Sequence, residues 1–127
     1  MKIALPSRKD CKYIRQKLKL FYFANTNHSC TPTNEKVEFE RALMRVFRFF
    51  QLSTPQITWY LDLGGVGNKI LGQCTPEGEI KLLTPQAHSS NFEGWLDTFY
   101  HEVGHYVLWA DCEEKAREFA GKMRVRG

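Results

Sequence analysis

The residues best suited to chemistry lie in one short run, His101-Glu102-Val103-Gly104-His105, which fits the pattern HExxH. Two imidazoles four positions apart on a helix lie about 40° apart round its axis, one turn above the other, so both reach one metal ion. Glu102 projects about 100° round from His101, beside that metal rather than onto it, where its carboxylate can take a proton from water. Imidazole nitrogens suit zinc, and a catalytic zinc takes three protein ligands and leaves a fourth position open. The other histidines, His28 and His88, do not follow the helix at a short spacing. The third ligand is therefore sought among Asp111, Glu113, Glu114 and Glu118. Asp111 suits the N-cap of a following helix, and Glu114, three residues on, completes a capping box. Glu113 has no such duty and sits where the chain has just reversed beside His105. It is the expected third ligand, with Glu114 and Glu118 in reserve.

A metal helix must separate its metal face from its core face. With His101 at zero and about 100° per residue, Trp95, Leu96, Phe99, Tyr100, Val103, Tyr106 and Val107 fall on one broad apolar back. His101, Glu102, His105, Thr98 and Gly94 fall on the front. The pattern predicts a helix from about Phe92 to Trp109, a tight turn, and a last helix from about Cys112 to Met123. Gly104, off both faces, permits close approach of another backbone.

Upstream, Asn34 is the expected N-cap of a helix reaching Gln51, with Glu35 and Glu38 in its first turn. Its apolar stripe is Val37, Phe39, Ala42, Leu43, Val46, Phe47 and Phe50. ITWYLDL, from Ile57, is β-branched and aromatic enough for a strand. GGVGN fits neither phosphate-loop spacing and reads as a turn. Two short strands, residues 69–74 and 79–83, flank a turn built on Pro76 and Gly78. In the second, Ile80 and Leu82 alternate with Glu79 and Lys81, the pattern of a half-exposed strand. The expected fold is α+β: a small domain in which an N-terminal helix packs on a short mixed or antiparallel sheet. The HExxH helix and a glutamate-bearing helix follow.

With 127 residues, 43% of them hydrophobic, the chain has material for one core. No apolar run approaches the roughly 18 residues of a membrane span, and the basic N-terminus makes a poor secretory signal, so a cytoplasmic protein is expected. Cys11, Cys30, Cys74 and Cys112 form no CxxC pair and are read as free thiols. Residues 1–33 carry seven Lys/Arg against one Asp. They divide into a short helix around Lys9 to Leu20, with Ile14, Leu18 and Phe21 at helical spacing, and a polar linker from Asn25 to Asn34. This basic arm, a pro-segment or a contact for nucleic acid or an acidic partner, is set apart from a catalytic unit over residues 34–127.

HExxH followed by a glutamate on the next helix resembles the gluzincin metallopeptidases. EEKAREFA, residues 113–120, resembles the ExxADxFA signature of one gluzincin group and the ExEANxFA of ImmA/IrrE-type peptidases. Ala116, Phe119 and Ala120 take the small and apolar positions that pack this helix on the active-site helix. Arg117 departs from the pattern, which has Asp or Asn there. The short link between the motifs looks most like the minigluzincins, and the resemblance spans residues 57–121.

The resemblance implies a zinc metallopeptidase, with Zn2+ on His101, His105 and Glu113 and with Glu102 as the catalytic base. That base takes a proton as water attacks the scissile carbonyl and passes it to the leaving amine. The resemblance further implies a peptide or unfolded protein substrate paired as an added strand along the edge of strand 79–83. His88 and Tyr106 are the residues weighed as oxyanion donors, although Tyr106 falls on the apolar back. His28 or Cys30 could cap the zinc and keep the enzyme latent. The alternative is a catalytically silent zincin-fold module acting on DNA or a transcription regulator through the basic arm.

Overall fold

The computed structural model describes residues 4–26, 35–62, 70–88, 91–108 and 113–127. Within them the protein is α+β, with helices α1 (Arg8–Asn25), α2 (Lys36–Phe50), α3 (Phe92–Leu108) and α4 (Glu113–Arg126). Strands β1 (Gln56–Tyr60), β2 (Gly72–Cys74) and β3 (Glu79–Leu83) form one mixed sheet. His28, Cys30, Asn34, the GGVGN turn, Asp111 and Cys112 lie outside the described residues.

The N-terminal helix is longer than its apolar spacing suggests and is part of the core. Ser7 caps α1, its hydroxyl accepting from the Asp10 amide. Cys11, Ile14, Leu18, Phe21 and Tyr22 make a buried stripe that joins the same hydrophobic cluster as α2, α3 and α4. A boundary at residue 33 therefore does not divide this core. Asn25, assigned to the linker, closes the helix instead, its buried side chain donating to the Phe21 carbonyl.

α2 buries Phe39, Ala42, Leu43, Val46 and Phe47 as expected, but Val37 is 55% exposed, because two positions before Phe39 it lies about 160° round the helix from the buried stripe. Phe21 of α1 and Phe39 of α2 both meet Trp59 of β1, and Trp95 and Phe99 of α3 stack at 6.0 Å on the other side. Trp59 is half-buried, whereas Phe21, Phe39, Trp95 and Phe99 are buried, and each such ring contributes roughly 1.5–3 kcal/mol of transfer free energy.

The sheet order is β1-β3-β2, with β1 parallel and β2 antiparallel to β3. β3 is therefore the central strand, paired on both sides. This corrects the expectation that 79–83 offers an edge to substrate. Ile80, Leu82 and Leu83 are buried, so β3 is the strand best placed to be covered. Among the described residues, the strand with one side unpaired and lying against α3 is β2. Gly78, at φ +89°, makes the β2–β3 turn, its amide donating to the Thr75 carbonyl. No helix among the described residues is long and apolar enough to cross a membrane.

Candidate metal centre

The site is built where α3 and α4 cross. At Gly104 a Cβ would stand 3.1 Å from Phe119 Cδ1 and 3.3 Å from Ala116 Cα, so glycine lets the two helices come into backbone contact. Phe119, Ala116 and Ala120 are buried in that seam. Arg124 near the other end of α4 donates to Asp97 of α3 at 3.1 Å, holding the helices together there. The crossing brings Glu113, the first residue of α4, onto the two histidines of α3.

His101 Nε2 donates to Glu113 Oε2 at 2.8 Å, and His105 Nε2 donates to Glu113 Oε1 at 2.9 Å. The two rings stand 4.9 Å apart, 77° to one another. Partial burial raises the Glu113 carboxyl, but the charges and hydrogen bonds of His101 and then His105 outweigh it and hold that group below its ordinary range. Glu114 and Glu118 are exposed and outside the cluster, and Glu118 pairs with Lys122 at 3.0 Å. His101, His105 and Glu113 offer ligand atoms all within 4.8 Å of one another.

This donor set fits zinc. Tetrahedral ligands at zinc distances stand roughly 3.3 Å apart. The imidazole–carboxylate separations of 2.8 and 2.9 Å, each to a different oxygen of Glu113, and the 4.8 Å limit on the whole set bracket that spacing. Two imidazoles and one carboxylate are also the three-ligand composition that leaves a coordination position open.

Glu102 stands beside the cluster and is 7% exposed. Burial pushes its carboxyl up to about 7 against the opposing effect of His105, and Glu113 adds to the rise. The slot that holds it is shaped by a residue that sequence reasoning passed over. A Cβ at Gly72 would stand 3.0 Å from Glu102 Cγ and 3.1 Å from Thr98 Cγ2. Glycine inside a strand signals close backbone approach, and here β2 lies against α3 because position 72 has no side chain.

Gln73, Cys74, Thr75, Pro76, Gly78 and Tyr106 wall a cleft of about 430 Å³ that opens on Glu102, His105 and Glu113. Burial pushes the Cys74 thiol up to about 11, with Glu102 adding to the rise, so that wall is uncharged. On the other side Leu71, Asp97 and Thr98 line a hollow reaching His101.

The residues weighed as oxyanion donors are engaged elsewhere. The Tyr106 hydroxyl donates to the Ser53 carbonyl at 2.8 Å. Its ring nevertheless walls the cleft as well as meeting Phe47, so it is not confined to the apolar back. His88 is buried, and its Nε2 lies 2.8 Å from Thr98 Oγ1, which itself donates to the Gly94 carbonyl. His88 thereby ties the turn after β3 to α3, one turn ahead of His101.

No family model, curated protein or solved structure matches this chain.

Proposed function

We propose that the protein is a zinc-dependent metallopeptidase of minimal, gluzincin-like design. The observation that carries this reading is the convergence of His101, His105 and Glu113 on one point, with the buried Glu102 beside it and a cleft in front. Zinc held by those three side chains supplies Lewis-acid chemistry, polarising a carbonyl and acidifying water. The remaining work falls to the chain itself.

Glu102 is walled by Gly72 and Thr98, so its carboxylate is fixed in direction and kept largely from bulk water. It accepts the proton of the attacking water and returns it to the leaving amine. The substrate is an extended peptide, whose backbone pairs with the unpaired side of β2 at Gly72–Cys74 rather than with β3. Side chains flanking the scissile bond enter the Cys74–Tyr106 cleft on one side and the Asp97–Thr98 hollow on the other. A polypeptide already unfolded, or an exposed loop, meets the demand for an extended strand.

The test is cleavage of casein by zinc-loaded wild type and by Glu102→Gln. Cleavage by the wild type, lost in the variant while zinc is retained, is the expected result. Zinc-loaded wild type that cleaves neither casein nor a peptide library contradicts the proposal.

A further inference from the structure

We propose that the exposed face of α1, continued by the end of α4, is a binding surface for single-stranded nucleic acid. The proposal stands apart from the peptidase reading and does not use its residues. Arg8, Lys9, Lys12, Gln16, Lys19 and Phe23 share an arc of about 100° on α1, opposite the buried stripe. The four cations, all exposed, span roughly 16 Å of helix axis. None of them makes an ion pair among the described residues, whereas Arg15, Lys17 and Arg45 on neighbouring faces are paired with Glu93, Glu38 and Asp10. Asp10, the acidic residue of α1, is therefore neutralised by Arg45 and lies off the stripe.

The stripe is extended by a second element. Arg126, in the last turn of α4, donates through Nε to the Pro6 carbonyl at 2.6 Å, which places its guanidinium beside the start of α1. The α1 N-terminus brings the positive end of a helix dipole to the same place. A row of unpaired cations beside a helix N-terminus complements the regular negative charge of a phosphodiester backbone. At the far end of the row stands Phe23, 58% exposed. An exposed ring in line with a cationic track is the device that stacks unpaired bases, which favours a single strand over a duplex. An anionic membrane suits the face less well, because the apolar side of α1 is already turned into the protein core.

The experiment is fluorescence anisotropy of the full chain with a labelled oligothymidylate about 15 nucleotides long. Four phosphate contacts predict that affinity falls about fiftyfold between about 50 mM and about 200 mM salt. The double variant Lys9→Glu/Lys12→Glu should weaken binding at least tenfold at the lower salt. Lys36→Glu/Arg48→Glu makes the same change in net charge at exposed positions on α2 and should leave it nearly unchanged. Phe23→Ala should weaken single-strand binding roughly tenfold and leave duplex binding alone.

Absence of binding at the lower salt overturns the proposal. So does an equal loss in the α2 variant, which would mean general attraction to a basic protein. Tighter association with phosphatidylglycerol vesicles, or indifference to Phe23→Ala, overturns the single-strand assignment.

Discussion

Replacing Glu102 by glutamine should make the metal-free protein more stable while abolishing its proposed chemistry. Among the described residues Glu102 is the buried carboxylate, and burial lifts its pKa from 4.5 to about 7. Between those two values the folded state holds a proton that the unfolded state has released. Stability therefore falls as pH rises through that window, and the cost is complete above about pH 7. The shift corresponds to about 3 kcal/mol. Glutamine keeps the shape that Gly72 and Thr98 enclose but cannot ionise, so it escapes this cost. Urea unfolding followed by circular dichroism, in the presence of a chelator, reads the difference directly. At pH 8 Glu102→Gln should exceed the wild type by roughly 2–3 kcal/mol, and near pH 4.5 the two should coincide. A difference that does not change with pH, or a wild type that is the more stable at pH 8, refutes the reasoning. The pattern is that of a site whose working group is retained against the interest of stability.

Two further predictions concern glycines. Gly104→Ala gains about 1 kcal/mol of helix propensity, but its Cβ meets the buried Phe119 and the Ala116 backbone at 3.1–3.3 Å. Overpacking of about 1–3 kcal/mol should win, giving a net loss near 1 kcal/mol in thermal unfolding and weaker zinc binding as Glu113 is pushed off the histidines. A more stable Gly104→Ala protein contradicts the close helix crossing. Gly72→Ala should lower kcat/KM at least tenfold with zinc content unchanged, because the new Cβ displaces the Glu102 carboxylate and not a ligand. Unimpaired cleavage by that variant contradicts the slot.

Much of the arrangement is legible in the chain because local periodicity encodes it. The two faces of α3 follow from its helical spacing, and β3 from the alternation of Glu79, Ile80, Lys81 and Leu82, which breaks at the buried Leu83. The meeting of Glu113 with both histidines follows from a short connection that must return the chain over α3. What spacing does not encode is pairing order. The alternating pattern of 79–83 suggests a half-exposed strand, yet β1 pairs with it in parallel across a long connection and makes it central. No local signal carries that non-neighbour pairing, so the strand lying against the site is β2 instead. Gly72 was readable as a strand glycine, but the partner that requires it, Glu102, is thirty positions away in the chain. The spacing of Ile14, Leu18 and Phe21 is legible in residues 1–33, but the basic composition obscures that this stripe, with Cys11 and Tyr22, belongs to the core, because the cations occupy the opposite side of the same helix.

Zinc affinity, measured by competition with a chromophoric chelator, tests the proposed site of three protein ligands. Wild type should bind one zinc per chain. His101→Ala and Glu113→Gln should each weaken binding by more than about 100-fold, beyond the usual effect of losing a group that only supports a ligand. Glu114→Gln, one position from the cluster and exposed, should bind as the wild type does. A wild type that takes up no zinc, or a Glu113→Gln protein that binds as tightly as the wild type, contradicts the account.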